Sequence, residues 1–166
     1  MEFPSKVIIY GNPVLKKRAK EVEEITRDMR NLIPHMIRVM RECKGVGLAA
    51  PQIDISQRVI IVQGPKKPLG FFNPRILKKS KTTQVGEEGC LSIPGLFINV
   101  KRAKEVEVEC QDSKGEKVRM KASGLIARIF QHEIDHLEGK LIIDHVPFWK
   151  RSSVLKEWRE ARLNHS

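Results

Sequence analysis

The segment Gln131-His132-Glu133-Ile134-Asp135-His136 restricts this chain more than any other. It places H-E-x-x-H inside a run, Gly124 to Glu138, with apolar helix character. Histidines four apart lie one turn above each other on one helix face, with Cβ atoms about 5–6 Å apart. Two imidazoles so placed can bind one metal ion, and Glu133 is then positioned as general base toward water at that ion. Gly139 stands where a C-terminal cap is expected. A solvated helix carrying two ordinary histidines is the plain alternative.

The rest of the chain supplies strands and two more helices. Thr26 is a candidate cap for a helix running to about Glu42, with Ile25, Met29, Leu32, Ile33, Met36, Ile37 and Met40 at spacings of three and four. The methionines read as a core stripe. Pro34 inside that pattern predicts a kink or local break. Arg58 to Val62 reads as a buried strand. Glu105 to Cys110 and Val118 to Ala122 alternate about the turn Asp112-Ser113-Lys114-Gly115, which predicts a hairpin with Cys110 on its apolar side. Cys43, after the first helix, also reads as structural. Ser152 or Ser153 is a candidate cap for a last helix to about Leu163. Strands and helices without regular βαβ alternation predict an α+β fold. With 166 residues and no repeat or linker, residues 1–166 read as one domain.

Composition narrows the class. Hydrophobic residues at 40% and charged residues at 31% exclude collagen-like and low-complexity chains. No apolar run approaches the ~18 residues of a membrane span, and the start, with Glu2 and Pro4, does not read as a signal or transit peptide. Three cysteines cannot all pair within one chain, which favours a reducing cytoplasmic setting. The net charge of +11 fits contact with a polyanion or merely a basic soluble surface.

Two histidines leave a catalytic metal short of a third protein ligand. His145 lies nine positions beyond His136, and neither it nor Asp144 is demanded by spacing. Cys90 is the other supply, within Glu87-Glu88-Gly89-Cys90-Leu91-Ser92-Ile93-Pro94-Gly95, where glycines and prolines suggest a shaped loop or strand end. A metal would itself stabilise a thiolate there. Leu125, Ile129, His132 and His136 share one helix face, so the metal side is apolar toward the helix start and suits an unbranched thioether chain. Leu125 and Ile129 as simple core is the alternative.

Three segments resemble signature motifs of the peptide deformylase family. They are Gly45-Val46-Gly47-Leu48-Ala49-Ala50-Pro51-Gln52, Glu88-Gly89-Cys90-Leu91-Ser92 and Gln131-His132-Glu133-Ile134-Asp135-His136-Leu137, in family order, with similarity from about Val7 to Asp144. The resemblance implies a metal-dependent hydrolase that removes the formyl group from N-formylmethionine of nascent polypeptides. It implies antiparallel sheets around a central helix bearing both histidines, with residues 147–166 as a C-terminal helical extension. It assigns the metal to Cys90, His132 and His136, and acid/base work to Glu133. Oxyanion stabilisation falls to the Gln52 side chain and the Leu91 backbone N–H. Substrate contacts fall to Gly45, Val46, Gly47, Glu88, Gly89, Leu125 and Ile129. Fe2+ is the implied native ion, with Zn2+ or Ni2+ able to occupy the site.

Glu88 and Arg102 match family positions and are expected to pair, with little contribution if exposed. Asp54 stands where many members have glycine, and Phe97 where some place a basic residue. For the basic final segment, with Lys150, Arg151, Lys156, Arg159 and Arg162 beside Leu155 and Trp158, the resemblance implies ribosome docking near emerging chains, against the plain reading of a solvated helix face. A monomer with no membrane partner is expected. The rival readings are a zinc endopeptidase, which lacks its downstream ligand pattern here, a metal-stabilised RNA-binding module, and a deformylase relative without activity.

Overall fold

In the computed structural model, which describes residues 2–165, a five-stranded antiparallel sheet lies between two helices. The first helix, α1 (Arg27–Glu42), opens at Thr26, whose Oγ1 accepts from the Met29 N–H at 3.2 Å. Such a cap contributes about 1 kcal/mol. The predicted break at Pro34 does not occur, and α1 runs unbroken. Pro34 and Arg30, whose carbonyl loses its helical donor, both sit on the exposed side where water can serve it. Leu32, Met36 and Met40 are buried, as the spacing predicts, and so is Val39.

The strands are β1 (Gly47–Ala49), β2 (Val59–Gln63), β3 (Pro68–Lys79), β4 (Thr83–Cys90), β5 (Ile93–Ala103), β6 (Glu105–Gln111) and β7 (Lys117–Ser123). The main sheet has the order β1-β2-β3-β6-β7, and β4 pairs only with β5 in a separate two-stranded sheet. The hairpin expected around Asp112–Gly115 is β6–β7, with Cys110 buried. On β2, Val59 and Ile61 pack toward α1, while Ile60 and Val62 pack toward the second helix, α2 (Gly124–Leu137). A strand buried on both faces reads as an unbroken apolar run, which is why it was legible.

Asp54 adopts φ 64° after the short 3-10 turn Ala50–Ile53. That left-handed conformation suits glycine, and aspartate tolerates it better than most residues. Asn73, at φ 49°, bulges β3, and its side chain bonds both the N–H and the carbonyl of Val22. The N-terminal segment is thereby pinned to the sheet.

The C-terminal helix α3 (Phe148–Asn164) starts earlier than either serine predicted, directly after Pro147. Ser153 instead donates its hydroxyl to the Lys150 carbonyl inside the helix. Trp158 is buried and its Nε1 donates to Pro94 O at 2.8 Å, so α3 braces the start of β5. No helix among the described residues is long and apolar enough to cross a membrane.

Candidate metal centre and its cavity

The helix α2 is fixed at its C-terminal end and at its middle before its histidines are considered. At its C-terminus the buried Arg58 donates to the Leu137 carbonyl at 3.3 Å and pairs with Glu138 at 2.8 Å, satisfying groups the helix leaves open. Gly139 follows with φ 74°, the left-handed cap expected there. In the middle, Gln131 grips Ala103 with both ends of its amide, accepting from the N–H and donating to the carbonyl.

His132 and His136 then face the end of β4. Their ligand atoms and Cys90 Sγ all lie within 4.8 Å of one another, and Cys90 Sγ is 3.5 Å from His136 Nε2. Cys90 closes β4 at a register shift, as the shaped strand end suggested. Burial pushes its thiol up, but the imidazoles of His136 and His132 outweigh that and bring it to about 5. A thiolate and two imidazoles form a donor set suited to Fe2+, Zn2+ or Ni2+. His132 Nδ1 bonds Glu88 Oε1 at 2.8 Å, which turns its Nε2 toward the cluster. His145 and Asp144 lie elsewhere. His145 bonds Asp135 at 2.9 Å, while Asp144 caps Leu141 and pairs with Lys16.

Glu133 is buried beside the cluster, with Oε1 4.0 Å from His132 Nε2. Its Oε2 is one of two buried side-chain atoms among the described residues without a hydrogen-bond partner, the other being His136 Nδ1. An orphaned buried oxygen is costly in a purely structural residue and marks a candidate for chemistry. Burial raises its carboxyl above the ordinary value, against the pull of His132 and His136. Gly47 makes this placement possible, because a Cβ there would lie 2.5 Å from Glu133 Oε1 and 2.9 Å from Ile129 Cγ2.

Gln52 is oriented from behind. Its Oε1 accepts from the Ala49 N–H at 2.9 Å, so its Nε2 points forward, 3.7 Å from Cys90 Sγ and 3.1 Å from Ser92 Oγ. The amide donor thus faces the cluster. Ser92 is fully buried in this role and was not singled out from sequence.

A cavity of about 480 Å³ opens onto these groups. Gly45, Val46, Gly47, Gly89, Leu125 and Ile129, expected to meet substrate, line it together with Leu91. Val46 and Leu125 are exposed at its mouth, and Ile129 is buried at its wall. Phe97 lies on the rim, exposed. Glu88 also borders the cavity, but its oxygens are engaged within the protein by Arg102, Arg128 and His132. The Glu88–Arg102 pair expected at the surface is buried, each side chain 5% exposed. Burial alone would raise the Glu88 carboxyl, yet hydrogen bonds from His132 and Arg102 hold it well below the usual carboxylate range.

A sequence model of the family described as "Polypeptide deformylase" matches residues 4–152. The peptide deformylase of Thermotoga maritima is 43% identical over 152 residues, covering 92% of this chain and 93% of its own. Among solved structures, peptide deformylase from Thermus thermophilus superimposes with TM-score 0.87 at 40% identity, covering 96% of this chain and 94% of that one. A peptide deformylase from Synechococcus elongatus in complex with actinonin gives TM-score 0.87 at 37% identity, over 94% and 86%.

Proposed function

This chain belongs to the polypeptide deformylase family, and we propose from that footing which of its residues carry the reaction. It is a metal-dependent hydrolase that removes the formyl group from formylated nascent peptides. The observation that carries the assignment of parts is the juxtaposition of Cys90, His132 and His136 with the unpartnered Glu133 oxygen at one apolar cavity.

Cys90, His132 and His136 hold the ion, and Fe2+ is the native one, with Zn2+ or Ni2+ as substitutes. When bound, the cation lowers the pKa of water and polarises the formyl carbonyl. Glu133 accepts the proton of the attacking water at its free oxygen and delivers it to the departing α-amine. A carboxyl raised by burial is better matched to that shuttle than an ordinary glutamate. The Gln52 amide and the Leu91 backbone N–H stabilise the oxyanion as the carbonyl carbon becomes tetrahedral. The methionine side chain enters the cavity between Val46, Leu125 and Ile129, while Gly45, Gly47 and Gly89 let the peptide backbone approach. Glu88 supports His132 in place of touching the peptide.

Residues 1–166 act as one catalytic domain with 147–166 as a helical extension, monomeric and cytoplasmic. The test of this reading is formate release from a formyl-Met peptide, with protein purified without oxygen and assayed for metal. One equivalent of metal and formate release that a chelator abolishes are expected. Cleavage of internal peptide bonds without formate release would favour the endopeptidase instead.

Ribosome docking is assigned to the exposed cations of α3. Deleting the helix would be a poor test, because Trp158 packs beside Pro94 near the site and Arg162 stacks on its ring at 5.1 Å. Replacing the exposed Lys150, Lys156 and Arg159 with glutamate should weaken salt-sensitive ribosome binding at least tenfold and leave activity on short peptides within about twofold. Unchanged cosedimentation with ribosomes at low salt would remove the helix from that role.

A further inference from the structure

The metal cluster is assembled from two parts that do not share a sheet. Cys90 ends β4, in the two-stranded β4–β5 sheet, whereas both histidines stand on α2. A two-stranded sheet has little stability of its own. The spacing between thiolate and imidazoles therefore depends on what ties that hairpin to the helix. Gln131 holds Ala103, and Arg102 joins Glu88 to Asp135. A further tie, gripping the hairpin beside these at Gln84 and Val100, is Arg128.

Arg128 lies one turn before His132 on α2, in the otherwise apolar stretch Leu125-Ile126-Ala127-Arg128-Ile129-Phe130. Its side chain is only 15% exposed. Nη1 donates to Glu88 Oε2 at 2.6 Å and to the Val100 carbonyl at 2.9 Å, and Nη2 donates to the Gln84 carbonyl at 2.7 Å. One guanidinium thus reaches a side chain on β4 and the backbones of both β4 and β5. Gly86 is shaped to receive it, because a Cβ there would stand 3.0 Å from the Arg128 Cζ.

Charge neutralisation does not explain the contact. Arg102 already meets both Glu88 oxygens, at 2.9 Å each. With Arg128 and His132 added, the carboxylate accepts four hydrogen bonds, which fills its capacity. A carboxylate held from four directions cannot rotate, and its Oε1 then fixes His132 with the proton on Nδ1. Desolvating a second arginine beside the same carboxylate has a cost that geometry, not charge, can justify.

We infer that Arg128 is a positioning residue for the metal centre: through Glu88 it sets the orientation of His132, and through the Gln84 and Val100 carbonyls it fixes the hairpin that carries Cys90 against α2. The inference rests on the assignment of Cys90, His132 and His136 as ligands. Outer partners of ligating histidines commonly govern metal affinity or activity by 10–100-fold.

The experiment compares the cobalt(II) forms of the wild type, Arg128→Met, Arg128→Lys, Gly86→Ala and the Gly86→Ala/Arg128→Met double variant. Visible absorption reports the coordination geometry, and a chelator reports the rate of cobalt loss. Arg128→Met should alter the cobalt spectrum and release the ion at least tenfold faster. Its kcat should fall while KM for a formyl-Met peptide stays within about threefold. Arg128→Lys, which keeps the charge without the planar fork, should recover only part of the retention. Gly86→Ala, whose added Cβ meets the Arg128 guanidinium, should reproduce the loss, and the double variant should be no worse than Arg128→Met. If Arg128→Met does not fold, the lysine and alanine variants decide the matter alone. Cobalt release at the wild-type rate in the folded variants overturns the clamp and leaves the ligand assignment standing. A wild-type protein that takes up no stoichiometric cobalt overturns both.

Discussion

Replacing Cys90 by alanine should give a folded protein that holds no stoichiometric metal and releases no formate above background. The argument starts from what remains after the sulfur is gone. His132 and His136 are two neutral donors one helical turn apart, short of the three protein ligands a catalytic ion takes. The lost donor is also the anionic one, since its pKa of about 5 makes it a thiolate at neutral pH. Stability should suffer little. Cys90 is a small side chain at a strand end, and removing one sulfur from a partly adaptable site costs on the order of 1 kcal/mol. Thermal melting of metal-free wild type and variant therefore separates loss of ligand from loss of fold, while elemental analysis after dialysis reads the metal. Full metal content together with normal formate release in Cys90→Ala would remove this residue from the site. Loss of metal by both Cys90→Ala and the single-histidine variants is the pattern expected of one shared ion.

The helix half of this site was legible from spacing alone, because H-E-x-x-H fixes which residues share a face. The cysteine half was not. Cys90 lies 46 residues before His136, and only the fold brings them together. Local periodicity marked β2 and the β6–β7 hairpin, whose residues either run apolar or alternate cleanly. It did not mark β3, β4 or β5. β3 contains Pro68, Gly70, Asn73 and Pro74, residues that usually punctuate, and its register shifts on either side of Arg75–Ile76. β4 offers Thr83-Gln84-Val85-Gly86-Glu87-Glu88-Gly89-Cys90, with hardly an apolar side chain to alternate. Its hydrophilic residues make sense only once the hairpin lies on α2 and Glu88 meets Arg102, Arg128 and His132.

The same cause explains the misjudged setting of Glu88 and Arg102 and the silence on Arg128. A lone charge in a sequence reads as solvated by default, since buried charges are rare. Whether a charge is buried depends on which distant element covers it. The misplaced start of α3 is a local matter instead. Serine is the commoner cap, but Pro147 supplies a fixed φ at the turn and the helix begins there.

Glu133→Gln should separate holding the ion from moving the proton. Glutamine has nearly the same shape, so the close approach to Gly47 survives. The variant should keep about one metal per chain and lose at least 10²–10⁴ in kcat, the usual range for a general base, with more expected because one carboxylate serves both proton transfers. Stability should move the other way. Burial raises the Glu133 carboxyl in the folded protein, so ionising it at neutral pH opposes folding, and that opposition grows as pH rises through its unfolded value. A neutral amide removes this dependence, so the metal-free variant should melt no lower than the metal-free wild type at pH 7. Activity-bearing groups commonly show this exchange of stability for function. Loss of the ion in Glu133→Gln would make Glu133 a ligand, and an unchanged kcat would take it out of the proton path. The expected result, a metal-replete and stable protein that barely turns over, leaves the unpartnered Oε2 as the atom that carries the proton from water to amine.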